Sequence, residues 1–415
     1  MNIIPFSKYQ SDRVLFDKDE NGREIAIYKY EKCVFTGVSM YYPNVLLKTG
    51  DDNTLILPIE ERTMSLKSST IYDSMNNKYD PIEVNTTQVY IDPVFFFIYN
   101  TDNYFHFLYD SLPYLITFLD IKKTTPQLKL LMNWPNEQKT DFYPFVLEML
   151  EIVGIAKSDI CMVDPSTQYE CVYISTSYTH GHDSNLPPRR EIYGFYREMV
   201  SRVSTLTNSH IQTPLKIYVS RRTWIHGDFT NIGTNYTTRR KLANENELVD
   251  QLVKSGYVEV FTEKLTTLEK ILYFANATHV IGAIGGGISN VLFSKPDTKL
   301  VALVSPTFLE VNGRFRYSLD CVDVSYYTNT RHTEPGRLKK YMRIRTRDGS
   351  IVGEIEAIDK NLVVVSYVEG GGNTGWNLQN TYKRIELDQS HIICLDQGLN
   401  SEWELSLDLL RKIIE

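Results

Sequence analysis

The stretch Thr278–Phe293, THVIGAIGGGISNVLF, carries the reading of the fold. A short apolar strand, His279–Gly282, runs into three successive glycines, Gly285, Gly286 and Gly287, and then into a helical run, Ile288–Phe293. A strand turning sharply into a helix is the building unit of parallel α/β sheets. Glycines permit the tight turn and the close approach of a ligand, and free amides at a helix start attract an anion. The spacing is not Gly-x-Gly-x-x-Gly, so no dinucleotide fingerprint is met, although the pyrophosphate of another nucleotide would still fit. The plainer alternative is a glycine-rich turn that holds no ligand.

Working outward, the same alternation surrounds this turn. Strand Lys216–Ser220, helix Glu245–Lys254, strand Val258–Phe261 and helix Leu268–Asn276 precede it, and strand Leu300–Val304 follows. An earlier series reads as helix Asn103–Asp120, strand Leu128–Met132, helix Phe142–Ile155 and strand Cys171–Ser175, which implies a parallel sheet covered on both faces. Between the two lies His180–Arg190, HGHDSNLPPRR, whose glycine and two prolines mark a junction before helix Ile192–Leu206. Residues before about 90 read as short strands such as Glu24–Tyr30 and Thr54–Ile59. Beyond Arg337 the segments Tyr341–Arg347, Ser350–Glu356, Asn361–Val368 and Tyr382–Leu387, with an Asp348-Gly349 turn and a Gly370–Gly372 loop, read as a small antiparallel β unit. Ser401–Glu415 reads as an amphipathic helix, with Leu405, Leu407, Leu410 and Ile413 inward, expected to pack back on the first domain. The expected organisation is an α/β domain over 1–190, a connecting helix over 191–206, a second α/β domain over 207–336, the β unit over 337–400 and the helix over 401–415.

Of the 415 residues, 42% are hydrophobic and 23% charged, the balance of a globular chain and not of a disordered one. The 44 Lys and Arg against 51 Asp and Glu give a net charge of −7, which argues against a nucleic-acid partner. The amino terminus lacks the basic start and apolar run of a signal peptide, and the most apolar run, Val94–Tyr99, is too short to span a bilayer. Five cysteines without a Cys-x-x-Cys pair disfavour a disulfide framework or a zinc cluster. A soluble, cytoplasmic protein without an integral membrane segment is expected.

Three groups of residues could carry chemistry. Arg221 and Arg222 follow a strand's carboxyl end, where α/β sites open, and Arg239 and Arg240 precede Asn244-Glu245 at a helix start. Two arginine pairs near a glycine turn suit a diphosphate leaving group stabilised without metal, although single arginines more often make surface pairs. His106 and Asp110, four apart on one helix face, can form a general base or an ordinary surface pair. The triplet Asp17-Lys18-Asp19 could hold a metal but lies in a hairpin-like DKDENG turn. His180, His182 and Asp183 lack a third spaced ligand group, and Trp376 could stack on a sugar or plug the β unit.

Taken in order, these segments resemble glycosyltransferase family 61. NYFHFLYDSLPYL is similar to the family's amino-terminal pattern, Asn103-x-x-His106 followed by Asp110 and Leu112-Pro113. The later pattern is also similar: Ser220-Arg221, Arg240 with Asn244-Glu245-x-Glu247-Leu248, Leu265 to Ala277, and the glycine turn with Asn290 and Phe293. The resemblance spans about Asn103 to Pro306. One departure is Ile284-Gly285-Gly286, where the family commonly carries His-Gly-Ala; the β unit after Arg337 has no matched counterpart.

The resemblance implies an α/β enzyme of GT-B type, two Rossmann-like domains facing a cleft, here with the small antiparallel β unit added. It implies inverting, metal-independent transfer of a sugar from a nucleotide sugar, usually a UDP-sugar, to a hydroxyl of a glycan or glycoconjugate. Under it, Gly285, Gly286, Gly287, Asn290 and Asn244 bind the donor, Arg221 and Arg240 neutralise the leaving group, and Glu269 holds the ribose hydroxyls. Asp110 or His106 is the catalytic base. No cofactor beyond the nucleotide-sugar substrate is expected, no metal and no nucleic acid, and homo-oligomerisation is left open. The alternative is a catalytically inactive protein that binds a nucleotide sugar or a polysaccharide.

Overall fold

The structure, a computed structural model, describes residues 2–5, 13–36, 45–48, 54–57, 72–73, 78–79, 86–97, 103–133, 141–179, 186–207, 211–223, 240–306, 308, 314–333, 338, 340, 342–367, 383–396 and 402–408. The chain divides into two compact units, Met1–His210 with Thr230–Thr234, and Ile211–Phe229 with Asn235–Glu415. Among the described residues no helix is long and apolar enough to cross a membrane.

The strands of the first unit are β1 (Asn2–Pro5), β2 (Arg13–Lys18), β3 (Glu24–Thr36), β4 (Val45–Lys48), β5 (Thr54–Leu57), the short pair β6 (Tyr72–Asp73) and β7 (Lys78–Tyr79), β8 (Gln88–Tyr90), β9 (Val94–Phe96), β10 (Lys129–Met132), β11 (Ile160–Met162) and β12 (Thr167–Ser175). Ten of them form one sheet in the order β1-β5-β4-β3-β12-β9-β10-β11, with β2 on β3 and β8 on β12. The expected parallel pairing is present in β12-β9-β10-β11, with β8 on β12 and β1 on β5 also parallel. From β12 to β5 the pairing is antiparallel, so the sheet is mixed.

The reason is connection length. Parallel neighbours need a crossover of about a dozen residues or more, which the helices Tyr114–Thr124 and Pro144–Val153 supply on either side of β10. Between β2 and β3 only Asp19–Arg23 intervenes, closed by Gly22 at φ +85° and by Asp19 accepting from the Asn21 and Arg23 amides. So short a link can only make a hairpin. The helix Glu191–Leu206 belongs to this unit, burying Ile192, Tyr196, Met199 and Val203.

The second unit opens with β13 (Lys216–Val219), β14 (Val258–Val260), β15 (His279–Ala283), β16 (Lys299–Leu303) and β17 (Asp323–Tyr327), all parallel, in the order β14-β13-β15-β16-β17. The helix Glu245–Lys254 contributes Leu248, Val249 and Leu252 to a core with Tyr218, Ile281, Leu303 and Tyr327. After β17 come β18 (Thr330–His332), β19 (Arg343–Thr346), β20 (Val352–Asp359), β21 (Leu362–Tyr367), β22 (Lys383–Asp388), β23 (Ile392–Asp396) and β24 (Trp403–Leu405). The antiparallel β unit has the order β22-β21-β20-β19-β23, a meander whose last strand returns to its first, and its core is Met342, Ile344, Ile355, Val363, Val365 and Ile392.

The expected helix over 401–415 is corrected at its start. Trp403–Leu405 is a strand antiparallel to β18 in the second unit, and 409–415 lie outside the described residues. Trp403 is 1% exposed in the core of that unit, and a large apolar ring with a sheet edge to join outweighs weak helical periodicity. The β unit is therefore inserted between the two strands of a ribbon, β18 and β24.

Candidate active site

Counted in chain order, the parallel sheet of the second unit runs 2-1-3-4-5. Such sheets bind ligands outside the carboxyl ends of their strands, where the winding direction reverses, here between β13 and β15. Arg221 lies two residues beyond β13 and Gly285 two residues beyond β15, on neighbouring strands in register through Val219 and Gly282. The two meet: a Cβ added at Gly285 would stand 2.9 Å from Arg221 Nη1. The guanidinium thus lies against the glycine turn.

Gly287 is needed for space and not for an unusual backbone. Its φ is −62°, yet a Cβ there would stand 2.8 Å from Thr262 Oγ1 and 3.0 Å from Val219 Cγ1. The run Ile288–Phe293 is one short 3-10 segment whose buried polar side chains brace the turn. Asn290 Nδ2 donates to the Gly287 carbonyl at 2.8 Å, and Ser289 Oγ donates to that of Gly286 at 2.6 Å. Ile284, at the family's usual histidine position, is buried, with its amide donating to Leu303 O.

Glu245 is the residue that the sequence reasoning passed over. It starts the helix Glu245–Lys254 and is 2% exposed. Its Oε1 accepts from Tyr218 Oη at 2.8 Å, Ser220 Oγ at 3.3 Å and the Arg221 amide at 2.9 Å. Its Oε2 is buried with no hydrogen-bond partner among the described residues. Glu245 thereby ties the turn that carries Arg221. Its sequence signal is an acidic first helical residue beside Asn244, which by itself names no role.

Burial pushes the Glu245 carboxyl above the usual glutamate value of 4.5, against the lowering effect of the Arg221 amide and Tyr218 hydroxyl bonds. Between 4.5 and its raised value the folded state holds a proton that the unfolded chain has lost, so this residue's contribution to stability falls as pH rises through that window. Glu245→Gln cannot titrate. Its unfolding free energy minus that of the parent should therefore increase from acid toward neutral pH, as read by denaturant unfolding at each pH. A difference independent of pH contradicts the raised value.

Two of the expected donor ligands, Asn244 and Glu269, and the neighbouring Arg222 have partners within the chain. Asn244 Nδ2 donates to Leu405 O at 2.7 Å and its Oδ1 accepts from Leu405 N at 3.2 Å, so its amide holds β24. Glu269 is engaged at a helix start. Its Oε2 accepts from the Thr266 amide at 2.8 Å and Thr266 Oγ1 at 2.9 Å, closing the capping box of helix Thr267–Asn276. Arg222 forks onto Glu259 at 2.7 and 2.6 Å, an ion pair that needs no ligand. Arg240, at φ +54°, places its guanidinium 4.2 Å from the centre of the Phe308 ring, which follows β16 at the same carboxyl edge of the sheet. Arg239, His180, His182, Asp183 and Trp376 lie outside the described residues.

In the first unit His106 and Asp110 do come together. Asn103 caps the helical start, its Oδ1 accepting from the His106 amide, and one π-helical turn follows at Phe107–Ser111. Such turns insert a residue into a helix and occur often at functional sites. His106 Nδ1 and Asp110 Oδ2 share a hydrogen bond of 2.6 Å, with the two side chains 8% and 0% exposed. With Asp110 ionised the carboxylate only accepts, so the Nδ1 proton then faces Asp110 and Nε2 is the basic nitrogen. Tyr109, fully buried, has its phenol held well above the usual value by burial and then by the charge of Asp110.

The Asp17 and Asp19 carboxylates are engaged separately. Asp17 Oδ2 accepts from Arg189 Nη2 at 2.5 Å, whereas Asp19 closes the β2–β3 turn. Among the described residues no group of three or more His, Cys, Asp and Glu stands where it could hold a metal ion.

Comparison with known proteins agrees with the resemblance in the motifs. The model of the family described as Glycosyltransferase 61 matches residues 104–301, a span that begins two residues before His106, passes through Arg221, Arg240 and Glu245, and ends in β16. No curated protein matches the chain. With the two motif segments, their geometry and the family match in agreement, residues 104–301 are a glycosyltransferase family 61 domain, and the activity that this family implies is glycosyl transfer.

Proposed function

We propose that this chain is an inverting, metal-independent glycosyltransferase of GT-B type, with two Rossmann-like halves. It moves a sugar from a nucleotide sugar, a UDP-sugar in the first instance, to a hydroxyl of a glycan or glycoconjugate. The observation that carries the proposal is Arg221 lying against Gly285 at the β13/β15 reversal point, where an anionic ligand of an α/β sheet belongs.

In this reading the diphosphate sits over Gly285–Gly287, with Arg221 and Arg240 opposing the charge that develops as it leaves. The acceptor hydroxyl attacks the anomeric carbon in line with the departing phosphate oxygen. A carbon–oxygen bond forms to the acceptor, the bond to phosphate breaks with its electron pair, and the hydroxyl proton passes to His106 Nε2. Asp110 holds the imidazole in the tautomer that can accept this proton and stabilises the imidazolium. One attack on the sugar carbon requires one base. No cofactor takes part beyond the nucleotide-sugar substrate.

A thermal-shift screen of nucleotide sugars identifies the donor, because a ligand bound only to the folded state raises its stability by mass action. With the donor in hand, transfer should persist in excess EDTA, the two arginines taking the role that a divalent ion plays elsewhere. Complete loss in EDTA that manganese restores sinks the metal-independent reading.

A further inference from the structure

Arg240 is held from a distance of 163 residues in sequence. Its backbone is left-handed, φ +54°, a conformation that side-chain-bearing residues adopt rarely and that persists where surrounding bonds over-determine it. Those bonds come from β24. Trp403 Nε1 donates to the Arg240 carbonyl at 2.9 Å, the Trp403 amide donates to Lys241 O at 3.0 Å, and the Ala243 amide donates to Trp403 O at 2.7 Å. One residue pair further, Asn244 closes both of its bonds on Leu405. The indole is 1% exposed and packs with Leu242, Leu248 and Tyr218, so its N–H has a fixed direction. The opposite end of Arg240 lies over Phe308.

We infer that Trp403 is a positioning residue for donor binding: through its indole N–H it holds the Arg240 backbone in the geometry that aims the guanidinium at the nucleotide diphosphate. The inference rests on the proposed role of Arg240. It places a determinant of donor affinity about a hundred residues beyond the matched family segment, on a strand reached only after the chain has built the inserted β unit. Trp403 and Asn244 act through Arg240 and need touch no substrate.

The test is a double-mutant cycle on binding of UDP, GDP and ADP by calorimetry, with melting temperatures measured alongside. Trp403→Phe keeps an aromatic ring in the core and removes the N–H. A neutral hydrogen bond is worth about twofold to tenfold, so Trp403→Phe should weaken the bound nucleoside diphosphate by that factor in the parent. In an Arg240→Ala background it should have no further effect, because the residue it positions is gone. Equal loss in both backgrounds means a general structural role and overturns the inference. If Arg240→Ala weakens binding but Trp403→Phe does not, the positioning claim falls while the role of Arg240 stands. If Arg240→Ala binds as the parent does, or the parent binds none of the three nucleotides, both fall together. Should Trp403→Phe fail to fold, Asn244→Ala, which cuts the adjoining bonds to Leu405, takes its place in the same cycle with the same outcomes.

Discussion

Asp110→Asn is expected to lower turnover by about 10²–10⁴-fold while leaving nucleotide affinity near that of the parent. The carboxylate shares a hydrogen bond of 2.6 Å with His106 Nδ1 and is fully buried. An asparagine there can donate to Nδ1, which moves the imidazole proton to Nε2 and removes the basic nitrogen. Because the base acts only on the acceptor hydroxyl, the loss appears in kcat and not in donor affinity. His106→Ala should lose turnover to a similar extent. The measurements are transfer rate, donor affinity by calorimetry and melting temperature for each variant. If His106→Ala keeps turnover while Asp110→Asn loses it, the carboxylate itself is the base. If both keep it, the pair is structural and the catalytic assignment is wrong.

Arg221→Ala is expected to weaken nucleoside diphosphate binding roughly tenfold to a hundredfold, the worth of a charge-assisted hydrogen bond of about 1.5–3 kcal/mol. The guanidinium stands at the glycine turn, its backbone tied by Glu245, so its removal deletes a fixed charge and not a mobile one. Turnover should fall as well, since charge on the leaving phosphate grows toward the transition state. Calorimetry with UDP, GDP and ADP decides the point. Unchanged affinity for every nucleotide that the parent binds would move the donor site elsewhere. Arg222→Ala serves as the contrast: that side chain is committed to Glu259 and should leave nucleotide affinity unaltered.

Much of the secondary structure was legible because its signals are local. The helix Glu245–Lys254 has the bounds its periodicity indicated, and the strand, glycine turn and helical run of Thr278–Phe293 appear where the apolar spacing placed them. His106 and Asp110 could be paired in advance because four residues is the distance between helical neighbours. The site was less legible. Glu269 Oε2 closes the Thr266 cap three residues away. The Asn244 amide binds Leu405, 161 residues along the chain, a partner that no local pattern names.

Features that depend on neighbours within a turn or two could be read from the linear pattern: most of the strands and helices, the glycine turn, the His106–Asp110 pair and the family motifs. Features that depend on distant segments meeting emerge only in the folded chain. The mixed pairing of the first sheet, the 2-1-3-4-5 order that brings Arg221 to Gly285, the buried Glu245 beneath Arg221 and the capture of Trp403–Leu405 as a strand are of this kind. The physical reason is that helix periodicity and turn chemistry are written in adjacent side chains. Strand pairing and the satisfaction of buried polar groups are instead settled by which distant partner completes the most hydrogen bonds and apolar contacts, and a linear pattern does not name that partner.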